Sequence, residues 1–330
     1  MIGRRHLLEA VAAGLLADHA AVRAQPAARI FRLGFLSQTA APAAQSFSTA
    51  GEIAAELAKR GYTEGRNLVV ERRYAGSVLD KLPALARELA TLELDAIVAI
   101  GSLPIRAATD ATKTTPIVMF GSEDPVVEGF VASLARPGGN VTGVPITPGV
   151  TLVGKKLDLL RQTVPRTTRI AYLTPTSSLG VSHQIQAALK AATALRLKLV
   201  VAEVSNGEFE RAFTSLMVER PEALFVANSP SFFAQRQQII ALAAKHRLPA
   251  MYEWREQVED GGLMSYGSSL AWITRRVAAY VDLIFKGAKP ANLPVELPSQ
   301  FQFVINLKSA RALGLTIPPL LLLQADEVIE

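Results

Sequence analysis

The chain has 330 residues, of which 49% are hydrophobic and 19% charged, and its formal net charge is +6. This length and composition are typical of a globular protein of about two domains and exclude a disordered chain. The charge is modest and no run of Lys or Arg exceeds two residues, which argues against nucleic-acid binding. The absence of cysteine excludes disulfides and cysteine nucleophiles. Of the four histidines, His6 and His19 lie in the amino-terminal segment discussed next, and His183 and His246 alone are too few for an ordinary histidine-rich metal site. We therefore expect neither a metal nor a cofactor.

The first 24 residues have the pattern of an export signal. Arg4 and Arg5 form a positive start, residues 7–16 a weak apolar stretch, and Val22 and Ala24 the small residues that a signal peptidase reads. A short amphipathic helix of the fold is the alternative. Both the twin-arginine and the general secretory routes remain open. Export predicts a periplasmic protein.

Strands and helices alternate through the first half of the chain. The predicted elements are strands at 30–36 and 67–74 and helices at about 45–59 and 79–92. Residues 96–100 and 117–120 then form short, unbroken apolar runs, typical of strands buried on both faces, with a helix between them. Because a helical crossover makes these two strands parallel, the polar loops that follow them lie at one carboxyl edge, where open α/β sheets bind ligands.

The segment 138–143, GGNVTG, resembles a glycine-rich phosphate loop. Its glycines precede a strand, whereas the dinucleotide-binding pattern joins a strand to a helix. We interpret it as a turn that leads into an extended segment.

The same alternation begins again after a predicted crossing at residues 145–148. The expected elements are helices at 152–164, 181–195, 208–220 and 232–246 and strands at 169–173, 198–203, 223–227 and 249–252. Further elements follow Gly262: a strand at 263–266, a helix at 270–286, a connector at 290–298, a strand at 301–306 and a helix at 307–313. The prediction is an α/β protein with two similar doubly wound parallel-sheet lobes joined by a multi-crossing hinge. Lobe 1 comprises residues 28–146 and 262–290, and lobe 2 comprises 147–261 and 291–330.

Several segments of this sequence match a known family. They are LARPGGNVTG at 134–143, YEWR at 252–255, GGLMSYG at 261–267, VINLK at 304–308, ALGLTIPP at 312–319 and ADEVIE at 325–330. With the export signal, the chain resembles a periplasmic substrate-binding protein of an ABC importer with the type I fold, of the family that includes tryptophan/tyrosine importer components. The resemblance implies a monomer that captures a small solute (an amino acid, aromatic ones included, or a related carboxylate) and delivers it to a membrane permease by hinge closure.

Polar residues at the strand ends are the candidates for ligand contact. From lobe 1 they are Ser37, Gln38, Ser102, Ser122 and Asp124, and from lobe 2 they are Thr176, Ser177, Ser178 and Ser229. The alternative for each is a helix cap, and Asp124 would then begin a helix running through Val131. Glu253 is the candidate partner of a ligand ammonium group, unless Arg255 pairs with it. Trp254 and Tyr266 could form an apolar wall, whereas Phe232 and Phe233 are interpreted as packing residues.

Two other functional classes are alternatives to transport. An exported α/β enzyme such as a hydrolase would need a catalytic pattern, but the sequence has no G-x-S-x-G, Walker or H-E-x-x-H motif. His183 lies inside a predicted helix without an evident acid partner. A ligand-sensing regulator would need a DNA-binding segment. We therefore predict a binding protein and not an enzyme.

Overall fold

A computed structural model describes residues 29–43, 48–122, 124–146, 151–176, 179, 181–205 and 207–330, with the side chain of residue 151 outside this set. The predicted export signal at 1–24 lies outside the described residues and stays a prediction. Within the described ranges, no helix combines the length and apolar character needed to cross a bilayer.

Five parallel strands form the first sheet, in the order β2-β1-β3-β4-β5. They are β1 (Phe31–Ser37), β2 (Leu68–Tyr74), β3 (Ala96–Ile100), β4 (Ile117–Phe120) and β5 (Val141–Val144). The connecting helices are α1 (Thr49–Ala58), α2 (Leu82–Ala90), preceded by a 3₁₀ turn at Leu79–Lys81, and α3 (Ser102–Ala111). The predicted β3-α3-β4 unit is therefore confirmed, and the glycine-rich segment is a turn that leads into β5. The strand order reverses between β1 and β3, which makes the carboxyl edge there a ligand-binding position.

The second sheet has seven strands in the order β12-β11-β10-β9-β8-β6-β7. They are β6 (Arg169–Pro175), β7 (Lys198–Val204), β8 (Ala223–Val226), β9 (Ala250–Tyr252), β10 (Met264–Ser268), β11 (Phe301–Asn306) and β12 (Glu327–Ile329). Strand β11 runs antiparallel to β10, and the other neighbours are parallel. Both sheets are α/β layers, as predicted.

Nine helices accompany the second half in the described part of the chain. They are α4 (Thr151–Thr163), α5 (Val181–Ala194), α6 (Phe209–Val218), α7 (Pro230–Ala234), α8 (Arg236–Lys245), α9 (Arg255–Glu259), α10 (Leu270–Phe285), α11 (Leu307–Ala312) and α12 (Pro319–Gln324). The helix predicted at 232–246 is two helices, because the backbone at Gln235 leaves helical geometry (φ −107°, ψ 21°). Helix α12 and strand β12 were not predicted.

The chain passes between the two sheets three times, after β5, after β10 and before β11. Strand β10 was predicted in lobe 1 but pairs with β9 and β11 of the second sheet. Conversely, the connector before β11 contacts the first sheet: Val295 N–H donates to Leu134 O (2.7 Å) and Thr142 Oγ1 to Leu293 O (2.7 Å). The predicted lobe boundaries differ from the sheets at these two places. The sequence of a short apolar strand does not indicate with which of two sheets the strand pairs.

Helix α10 covers one face of the first sheet, although it follows β10 in the chain. Ser269 begins the helix by accepting a hydrogen bond from Trp272 N–H. The helix buries Ile273, Val277 and Val281 in the same apolar cluster as Leu57 of α1. Burying each such side chain contributes about 1.5–3 kcal/mol. Helix α10 therefore belongs to the core of the first sheet.

Candidate functional site

A cavity of about 390 Å³ lies at the carboxyl ends of the strands, between residues of the first sheet and residues of the second. Its first wall, from the first half of the chain and α10, comprises Ser37, Thr39, Ala40, Ala41, Pro42, Ala43, Ser48, Thr49, Ala50, Tyr74, Ile100, Phe120, Ile146 and Leu270. Its second wall, from the second half, comprises Asn228, Ser229, Pro230, Phe233, Ala234, Arg236, Gln237 and Trp254. This volume suits a small molecule such as an amino acid, and few large polar side chains line it.

Aromatic and aliphatic side chains make most of the cavity surface apolar. Trp254 belongs to the second wall but packs into the apolar cluster of the first sheet, together with Phe120 and Leu270. Its ring meets that of Phe233 edge to face, with centroids 6.4 Å apart. Gln257 holds the start of α9 by accepting hydrogen bonds from the N–H groups of Glu253 (3.2 Å) and Trp254 (3.0 Å). These contacts hold the two aromatic rings together on the cavity surface.

The amino end of helix α1 forms part of the first wall and lines the cavity. Ser48 caps the helix, since its side chain accepts from Gly51 N–H (3.2 Å), and Thr49 and Ala50 line the cavity directly. The first N–H groups of a helix have no partner within it, and the helix dipole makes this end favourable for negative charge. The first wall can therefore receive an anionic group through its backbone.

Arg236 supplies the charge of the second wall. Its Nε donates to Asp260 Oδ2 (2.7 Å), its Nη1 to Phe233 O (3.1 Å), and its Cζ lies 4.6 Å from the centre of the Phe233 ring. Arg236 is the one charged side chain among the described residues that line the cavity. Because Asp260 balances its charge, Arg236 offers the cavity guanidinium N–H donors and not an unpaired positive charge.

A second, much smaller cavity of about 20 Å³ adjoins the first, and Asn228, Ser229, Pro230 and Ile146 line both. Gln38 and Ser102 also line it. Such a volume holds about one water molecule. Gly101 adopts a positive φ (96°), and a Cβ built on it would lie 3.1 Å from Pro230 Cγ, so the two walls touch here. The buried Asn228 Nδ2 has no hydrogen-bond acceptor among the described residues.

Five of the predicted contact residues line these two cavities: Ser37, Gln38, Ser102, Ser229 and Trp254. Their role in ligand contact stays a prediction. Ser177 and Ser178 lie outside the described residues. Ser122, Asp124, Thr176, Glu253 and Tyr266 are not among the described residues that line either cavity.

Asp124, Thr176 and Tyr266, which do not line either cavity, make local contacts that stabilise the fold. Asp124 Oδ1 accepts from the N–H groups of Val126 (3.1 Å) and Val127 (3.0 Å), so it caps a turn and no helix through Val131 forms. Thr176 Oγ1 lies 3.1 Å from Ser205 Oγ. Tyr266 lies mid-strand and packs on Phe301 and Phe303.

Glu253 is buried (4% exposed), and its Oε2 forms an ion pair with Lys156 of α4. Its Oε1 has no hydrogen-bond donor within the described chain. Gly267 of β10 must be glycine here because an added Cβ would lie 2.2 Å from Glu253 O. Arg255 pairs instead with Glu327, through Nε (2.7 Å) and Nη2 (2.8 Å), and these contacts lower the pKa of Glu327. A protein ammonium group thus occupies the place predicted for a ligand ammonium group.

Arg236, Phe233, Thr39 and Tyr74 line the cavity but were not predicted as contact residues. Phe233 and Arg236 fell within one predicted helix, where Phe233 was interpreted as a packing residue. Thr39 and Tyr74 follow the strand-end rule that selected Ser37, which could have found them. The described residues contain no cluster of three His, Asp or Glu able to hold a metal ion.

Two α/β parts, linked by three crossings, with a ligand-sized cavity at their strand ends, define the type I periplasmic binding protein fold. The family model "ABC transporter substrate binding protein" matches residues 44–329, and the chain belongs to this family. It is therefore the substrate-binding component of an ABC transporter.

Individual relatives agree with this assignment. The chain is 25% identical over 260 residues to the "Tyrosine-binding protein" of Clostridioides difficile (strain R20291), covering 78% of this chain and 74% of that one. Among solved structures, it matches a conserved domain protein of Vibrio cholerae with a TM-score of 0.82 and an ABC domain of Streptococcus pneumonia in complex with L-Trp with a TM-score of 0.80. Each is 25% identical, over 91% of this chain and 100% of the other.

Proposed function

We propose that this protein captures an amino acid with an apolar or aromatic side chain, or a related carboxylate, in the 390 Å³ cavity and delivers it to a membrane permease. The supporting observation is the pairing of a preformed aromatic surface, Trp254 with Phe233, with positively polarised groups, Arg236 and the amino end of α1. An apolar side chain fits the first and a carboxylate fits the second. The relatives named for tyrosine and found with L-Trp support the same ligand class.

In this proposal the protein is a monomeric, exported carrier and not an enzyme, since it captures and releases its ligand with no bond made or broken. Hinge closure at the three crossings is the proposed mechanism. Ser268 Oγ donates to Ile146 O (2.7 Å), which joins two of the crossings. Closure around the ligand then presents a compact complex to the permease.

The test is a thermal-unfolding screen of protein refolded after removal of any carried-over ligand. The panel contains amino acids, aromatic and aliphatic acids, sugars and nucleosides. A micromolar ligand at millimolar concentration should stabilise the folded state by about 4 kcal/mol. We expect a shift with amino acids or carboxylates, a smaller radius of gyration with that ligand bound, and recovery of the ligand chemically unchanged. A shift with sugars or nucleosides only, or conversion of the ligand, would contradict the proposal.

A further inference from the structure

Arg236 lines the cavity, and one of its guanidinium nitrogens has no hydrogen-bond partner among the described residues. Its Nε donates a hydrogen bond to Asp260 and its Nη1 donates to the Phe233 carbonyl, while Nη2 has no hydrogen bond to any described residue. The Arg236 side chain is 18% exposed, and its guanidinium stacks on Phe233. A planar guanidinium held on two sides loses little conformational freedom when it binds a third group. Nη2 is therefore a preorganised donor.

The described residues that line the cavity include no acidic partner for a ligand ammonium group. No Asp or Glu occurs among the described residues that line it. Of the nearby carboxylates, Asp260 is engaged by Arg236 and Glu253 by Lys156. Glu256, which also interacts electrostatically with Arg236, is not among the described residues that line the cavity. An ammonium group has hydroxyls and backbone carbonyls for partners, whereas a carboxylate has a guanidinium and the amino end of α1. The asymmetry favours the carboxylate end of a ligand.

We infer that Arg236 determines specificity by donating from Nη2 to the ligand carboxylate, so that the carboxylate selects ligands and the amino group is dispensable. This inference rests on the proposed function. The ligand class then includes arylalkyl and branched aliphatic carboxylates that lack an amino group, with the apolar body against Trp254 and Phe233. Asp260 is a positioning residue, since its bond to Nε holds the guanidinium over the Phe233 ring.

The first measurement compares matched ligands with the unmodified protein by calorimetry. One series is L-tryptophan, indole-3-propionate, tryptamine and L-tryptophanamide, and the other is the corresponding phenylalanine set. We expect each amino acid and its deaminated acid to bind within about tenfold of each other. The amine and the amide should each lose about 10- to 150-fold, the effect of losing a hydrogen bond between charged partners. Tighter binding of the amines than of the acids would overturn the inference.

The second measurement replaces the guanidinium. Arg236→Gln should weaken the carboxylates by about 10- to 150-fold and leave the amides unchanged, so that acid and amide bind alike. Arg236→Lys keeps the charge without the planar fork and should fall between the two. Arg211→Gln removes an exposed charge of the same half of the chain, away from the cavity, and should not change binding.

The two proposals fail differently. If the unmodified protein binds none of the amino acids or acids in the wider screen, the proposed function fails. If it binds acids but Arg236→Gln binds them within about threefold of the unmodified protein, the proposed function stands and the role of Arg236 is refuted. The ligand comparison needs no variant, so poor folding of Arg236→Gln would not prevent the decision.

Discussion

The two walls of the cavity hold their polar groups in different ways. The first wall presents strand ends and the amino end of α1, whose positions are set by the backbone of a parallel sheet. The second wall presents side chains, and two of its residues are held by other side chains: the Arg236 guanidinium by Asp260, and the Trp254 backbone by Gln257. A backbone wall tolerates sequence change, whereas a side-chain wall does not. Ligand preference should therefore depend mostly on the second wall.

The largest effect is expected where the second wall is anchored. Lys156→Met should lower the free energy of unfolding by about 3–5 kcal/mol, because it leaves the Glu253 carboxylate buried without its partner. Urea unfolding measures this loss. Lys198→Met is the control, since the Lys198–Glu219 pair is exposed and should contribute no more than about 1 kcal/mol.

The double variant Lys156→Met with Glu253→Met should recover most of the loss, because apolar replacements of similar volume remove both charges together. A loss from Lys156→Met as small as that from Lys198→Met would show that the buried pair does not anchor this wall.

Trp254→Ala should come next. Its ring, 4% exposed, packs among residues of the first sheet, so truncation should cost about 3 kcal/mol of stability and weaken ligand binding as well. Trp254→Phe keeps an aromatic ring and is the matched control, with a smaller loss. Urea unfolding and calorimetry measure the two effects. Equal losses for Ala and Phe would mean that the aromatic surface is not what matters.

Ser48→Ala addresses the first wall. Loss of the cap of α1 should cost about 1 kcal/mol of stability and weaken carboxylate binding only slightly, since the helix N–H groups remain. Glycine tolerates this position well, so Ser48→Gly should cost only a few tenths of a kcal/mol. A fall in affinity as large as that of Arg236→Gln would reverse the ranking of the two walls.

The smallest effect on stability is expected from replacing Glu256, which lies beside the second wall. Burial raises its pKa above the ordinary 4.5, Glu259 raises it further, and Arg255 and Arg236 oppose this. Because the pKa of Glu256 is raised in the folded state, ionisation of this carboxyl group lowers the free energy of unfolding at neutral pH. This loss of stability decreases as the pH falls through the folded-state pKa and is absent below the ordinary value of 4.5. Glu256→Gln should therefore raise the melting temperature at pH 7, with a gain that shrinks toward pH 4.5.

Asp110→Asn, at an exposed carboxyl group in the first half of the chain, is the control variant for that pH series. A loss of stability at pH 7 for Glu256→Gln would mean that the ionised carboxylate is needed.

The sequence was most informative where a local pattern determines the structure. Short apolar runs predicted β3 and β4, and the strand-end rule brought Ser37 and Ser102 to the two cavities. The sequence could not assign β10 to a sheet, because strand pairing depends on contacts between residues that are far apart in the chain. Arg236 was missed for a related reason: the break at Gln235, which separates α7 from α8, leaves no clear trace in a run of helix-forming residues.

The late position of helix α10 in the chain has a consequence for synthesis. The five strands of the first sheet are complete by Val144, yet the helix that covers one of its faces ends at Phe285. Helix α1 is already made and packs on the same face, but the part over β3, β4 and β5 stays uncovered during synthesis until α10 follows. The first sheet, although made first, therefore exposes apolar surface until α10 packs on it, and such exposure during synthesis is what chaperones protect.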